Sequence, residues 1–81
     1  SVNDNILSQL SVYPNPTNDI VTIKMPLNIE VVSMKLFDVL GNLVLKNANT
    51  TRLDVSNLSS GLYLLDITTT VGSITKKIVR N

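Results

Sequence analysis

Chemistry in a folded chain needs side chains that ionise, attack or ligate, and this sequence is poor in them. It contains no His and no Cys. The commonest general base, the commonest transition-metal ligand and the thiolate nucleophile are therefore missing. Six carboxylates remain: Asp4, Asp19, Glu30, Asp38, Asp54 and Asp66, spread singly along the chain. No two have the spacing of a calcium loop, and none belongs to a recognisable general acid/base pair. Gly41, Gly61 and Gly72 sit between apolar runs and form no phosphate-cradling motif. Asn49-Thr50-Thr51 and Asn57-Leu58-Ser59 match the glycosylation sequon, at a frequency chance explains. The residue inventory points away from catalysis, and no metal or cofactor is expected.

A length of 81 residues argues for one domain. A core of this size supplies only roughly 3–5 kcal/mol net, and without Cys or His neither a disulfide nor a metal is an obvious staple for it. Stability must come from the 43% of hydrophobic residues, mostly Val, Ile and Leu. Val and Ile in particular suit pleated, half-buried surfaces. Seven basic and six acidic residues give a net charge of +1, too little to steer nucleic acid or an anionic membrane. No run reaches the ~20 apolar residues of a transmembrane helix. Residues 1–10 lack the basic flank and apolar run of a signal peptide.

Alternating apolar and polar residues mark seven short strands. Residues 1–9 read as a linker or lead-in, and residues 10–81 as the domain. Residues 10–13 predict a first strand, stopped by Pro14 and Pro16. Residues 20–25 predict a second, with Val21, Ile23 and Met25 on one face. Residues 31–37 predict a third, with Val32, Met34 and Leu36 facing the core. A turn at residues 38–42, with Gly41 at positive φ, leads to a fourth strand at 43–46, making a hairpin. Residues 52–55 predict a fifth strand. Residues 62–68 predict the strongest one, with Tyr63, Leu65 and Ile67 on one face and Leu62 and Leu64 on the other. Apolar residues on both faces mark it as central. A turn containing Gly72 precedes the last strand, residues 74–80. The expected class is all-β, a seven-stranded antiparallel immunoglobulin-like sandwich.

The last strand is the most unusual. Ile74, Lys76, Ile78 and Arg80 alternate with Thr75, Lys77 and Val79, so neither face is cleanly apolar. That predicts an edge strand whose lysines are exposed. Edge lysines protect against unwanted strand pairing. The same edge is also a docking surface, on which a partner adds a strand or grips the tail. Tyr13-Pro14-Asn15-Pro16 reads by itself as a strand terminator and corner.

In combination these pieces resemble the C-terminal sorting domain of proteins exported by the type IX secretion system of Bacteroidota. Tyr13-Pro14-Asn15-Pro16 opens the pattern. Leu36-Phe37-Asp38-Val39-Leu40-Gly41 follows, then residues 53–63 ending Gly61-Leu62-Tyr63, then Gly72 and the lysine-bearing strand. Each motif is weak; four in order over residues 10–80 are specific. The resemblance implies a non-catalytic address on a larger cargo, an upstream domain of the same chain. Its partners would be the outer-membrane translocon, shuttle proteins and a cell-surface sortase. The cargo would pass through the periplasm to the cell surface or medium, with the domain removed there. The resemblance places translocon recognition on Gly61, Gly72, Lys76, Lys77, Ile78 and Val79. The competing expectation is an accessory immunoglobulin-like spacer or glycan-binding module. Glycan sites present exposed aromatics, and here only Tyr13, Phe37 and Tyr63 are aromatic, with Tyr63 expected to point inward.

Overall fold

The computed structural model describes residues 7, 9–26 and 28–81. Most of the expected lead-in, residues 1–6 and 8, lies outside the described residues. Seven strands follow in order: β1 (Ser11–Tyr13), β2 (Ile20–Lys24), β3 (Val31–Phe37), β4 (Leu43–Ala48), β5 (Arg52–Asp54), β6 (Gly61–Thr69) and β7 (Gly72–Arg80). They form two antiparallel sheets, ordered β1-β2-β5 and β4-β3-β6-β7. All seven expected strands are present, with ends that coincide or shift by at most two residues. Residues 31–46 do form a hairpin, and β6 is an interior strand of its sheet.

Period-2 alternation gives each sheet one apolar face, and the two faces share a core. Val21, Ile23 and Leu53 come from the smaller sheet; Val31, Met34, Leu36, Tyr63, Leu65, Ile67 and Ile78 come from the larger. Leu10 and Val55 complete it from beside β1 and β5. Leu7, in the expected lead-in, is also buried.

One inward assignment is corrected. Val32 was expected on the core face, yet it is 45% exposed while Val31 is buried. The pairing explains the exchange: Val31 lies opposite Thr69 and Ser33 opposite Thr68, so Val32 is an extra residue in a β-bulge. A bulge flips the faces before it relative to those after it. Alternation counted back from Met34 therefore fails at Val32.

Candidate site: the pole around the end of β7

The strand register brings distant sequence segments to one end of the larger sheet. Phe37, at the end of β3, lies between Leu43 at the start of β4 and Leu64 near the start of β6. Gly61 faces Arg80, and Leu62 faces Val79. The Asp38–Asn42 turn and the last residues of β7 are thus at the same pole.

The proline segment is fastened there as well. After β1 the chain crosses to the outer edge of β7, where Thr17 bridges Arg80 in parallel. The Thr17 amide donates to the Val79 carbonyl (2.9 Å), and the Asn81 amide donates to the Thr17 carbonyl (2.9 Å). Asn15 extends this pairing with its side chain. Its Nδ2 donates to the Lys77 carbonyl (2.9 Å), and its Oδ1 accepts from the Val79 amide (3.0 Å). An amide side chain suits the role because it offers a donor and an acceptor side by side. Pro14 and Pro16 flank it, and both preceding peptide bonds are cis. Thr17 is fully buried, with its hydroxyl donating to the Ile20 carbonyl.

Arg80 joins the two sheets at this pole. Its guanidinium donates from Nε to the Val55 carbonyl and from Nη2 to the Ser56 carbonyl, both at 3.1 Å. It also donates to the Asn81 carbonyl. Sequence reasoning missed this bridging role, because the acceptors are main-chain groups 24 and 25 residues away.

β7 is an edge strand, as expected, but only part of its edge is open. Backbone groups of alternate residues point to the same side of an antiparallel strand. Val79 and Lys77 use that side to meet the proline segment. Thr75 presents its amide and carbonyl on the same side, and among the described residues neither is paired.

The six residues expected to mediate recognition all belong to β6 and β7, but they occupy different environments. Gly61, Lys77, Ile78 and Val79 lie at the pole. Gly72 opens β7 opposite Thr69, at the far end of the hairpin, roughly 26 Å away for eight extended steps. Ile78 is fully buried, so its side chain belongs to the core. Lys77 is exposed. Lys76 is not: it lies on the inner face opposite Leu65 and is half-buried, which corrects the expectation of two exposed lysines. Strand alternation sends the two to opposite faces. Gly61 and Gly72 have φ of 150° and 139°, where L side chains are strained. At Gly72 a Cβ would also meet Leu7 Cδ1 at 3.4 Å, whereas at Gly61 the space is open.

Two further residues shape the pole. Asp38 accepts from the amides of Leu40 and Asn42, both at 2.9 Å, and from the Asn42 side chain at 3.2 Å. These bonds, led by the Asn42 amide, hold its carboxyl below its ordinary range. Gly41 has the positive φ expected of this turn. Tyr63 points inward as expected, and its hydroxyl donates to the Ser59 carbonyl at 2.7 Å. Asp54 is likewise held low by its bonds to Ser56. No group of three or more potential metal ligands exists among the described residues. No helix among them is long and apolar enough to cross a membrane.

Residues 11–81, from the first strand to the last residue, match the family described as a secretion system C-terminal sorting domain. The chain belongs to the type IX secretion C-terminal sorting domains. A curated relative, the ulvan lyase NLR42 of Nonlabens ulvanivorans, is 35% identical over 72 residues. That match covers 84% of this chain and 13% of the relative, and it falls in the relative's C-terminal region. The sorting-domain family is one of non-catalytic signals and implies a secreted or cell-surface protein with an N-terminal cargo.

Proposed function

We propose that residues 10–81 act as a folded address read by the type IX translocon at the pole around β7, with residues 1–9 as the lead-in from the cargo. The observation that carries this reading is the convergence of the family segments. Tyr13-Pro14-Asn15-Pro16, the Asp38–Asn42 turn, Gly61 and the end of β7 are far apart in sequence and lie at the same end of the larger sheet, the turn at the β3–β4 flank and the proline segment at the β7 edge. Recognition uses Gly61, Lys77 and Val79 directly. Ile78 and Lys76 support the strand from the core side, and Gly72 sets the hairpin at its other end. The open stretch of edge around Thr75 offers backbone groups to a partner strand, with Lys77 beside it for charge specificity. Passage runs through the periplasm with the help of shuttle proteins, and a cell-surface sortase then removes the domain. The cargo's activity belongs to the segment upstream.

We further infer that the two sheets form an immunoglobulin-like sandwich. Tyr63, near the start of β6 and bonded back to Ser59, has the geometry of the tyrosine corner of such folds. The strand order differs from the constant-type arrangement in one respect: β4 joins the sheet of β3, β6 and β7.

The experiment is a fusion of residues 1–81 to an exported reporter, in hosts with and without the translocon. Delivery to the surface only in the intact host, with the fusion shortened by no more than the 8.9 kDa of the 81 residues, is the expected result. Lys77→Glu, at an exposed position, should stay folded and leave the reporter in the periplasm. Delivery without the translocon would refute the reading.

A further inference from the structure

The outer face of the larger sheet is ordered in rows. At the pole, Leu62 lies beside Val79. The next row is Leu43, Phe37, Leu64 and Lys77, across all four strands. Behind it come Lys46, Lys35, Asp66 and Thr75, and then Ala48, Ser33, Thr68 and Ser73. The face thus passes from apolar to charged to small and polar over about 20 Å. Leu43 is 51% exposed, and Leu62, Leu64 and Val79 are 36–40% exposed. The turn extends the apolar end with Val39 and Leu40, at 66% and 83%. Asp38 fixes that turn through its bonds to Leu40 and Asn42. Among the described residues, six of the eight large exposed hydrophobics are thus at one end of the sheet, four on its outer face and two on the adjoining turn.

Single exposed aliphatics need no explanation, but a clustered patch with a polar border marks an interaction site. Its four-strand row spans about 14 Å at ordinary strand spacing. The border decides the occupant. Lys77 closes the apolar row, Lys35 and Lys46 stand behind it, and Asp66 is the one acid in these rows. The cationic rim complements carboxylates.

We infer that this patch docks a protein component of the export machinery, through aliphatic side chains bordered by acidic residues. The inference rests on the sorting reading above and names the surface that sorting uses. The β7 edge then supplies register, and the patch supplies apolar contact area.

The test uses the same reporter fusion. Leu62→Thr/Leu64→Thr makes the face polar while keeping strand-compatible side chains. Val32→Thr, an equally exposed valine outside the patch, is the control. The double variant should lower surface delivery at least tenfold, with the β spectrum retained and the control normal. Leu40→Ser, on a turn residue outside every strand, should lower it as well and covers the case of a misfolded double variant. Lys35→Glu/Lys46→Glu should do the same through the rim. Normal delivery by folded Leu62→Thr/Leu64→Thr or by Leu40→Ser overturns the inference while leaving the sorting function standing. Absence of translocon-dependent delivery by the unaltered domain overturns both. Two measurements on the isolated domain address other occupants. Dimerisation in sedimentation, abolished by the double variant, would assign the patch to a second copy and overturn the inference. Binding to phosphatidylglycerol vesicles, abolished likewise, would assign it to lipid and overturn it too.

Discussion

Replacing Asn15 by Ala removes both side-chain bonds that hold the proline segment to β7. Net contributions of neutral hydrogen bonds are about 0.5–1.5 kcal/mol each. Both bonds are exposed, so the freed Lys77 carbonyl and Val79 amide rehydrate, and no burial penalty is added. The expected loss is about 1–2 kcal/mol. For a domain of this size that is roughly 5–15 °C in melting temperature. The local effect is sharper. The Val79 amide has Asn15 Oδ1 as its acceptor, so its hydrogen exchange should accelerate by about 5–30-fold. Amides in the middle of β6, paired on both sides, should change only with global stability. Asn15→Asp is the discriminating companion. A carboxylate still accepts from Val79 but cannot donate to Lys77, and it sets negative charge against that carbonyl. Val79 should keep most of its protection, while the domain still loses stability. Two-dimensional NMR exchange and thermal melts read both quantities. Unchanged Val79 exchange in Asn15→Ala, with a melting temperature within about 1 °C of the parent, would show that the backbone pairing of Thr17 alone holds the segment.

Leu65→Ala should cost about 2–5 kcal/mol in urea unfolding, because Leu65 is fully buried on an interior strand of its sheet. A loss under about 0.5 kcal/mol, the surface range, would contradict the register. Asp38 should make stability fall in acid. Its folded carboxyl titrates below the unfolded one, so its contribution is complete above about pH 4 and disappears as pH drops through the folded value. Asp38→Asn should be less stable at neutral pH and show a shallower acid loss in melts from pH 7 to 2; an unchanged acid limb would assign the dependence elsewhere.

Strand number, strand order along the chain and the inward set of β6 were legible in the residues. Alternation is a local property, and each strand of a two-faced sheet must carry it to bury one side. Proline and glycine punctuation was legible for the same reason. The family segments were also readable, since they are short linear patterns. Val32 was misread because a bulge depends on the partner strand: nothing in residues 31–37 says that Thr68 and Thr69 will face Ser33 and Val31. Lys76 and Lys77 were both expected to be exposed, yet Lys76 is half-buried on the core face and only Lys77 meets solvent. Leu62 and Leu64 were placed correctly on the second face of an interior strand, but alternation alone did not show that this face is uncovered and that they are part of an exposed patch. Sequence shows that a position is apolar but not whether another layer covers it. The fastening of Asn15 to Lys77 and Val79, across 62 and 64 residues, and of Arg80 to Val55 and Ser56 is likewise tertiary. Such bonds run largely to main-chain atoms, which every residue carries alike, so only the fold decides which of them meet.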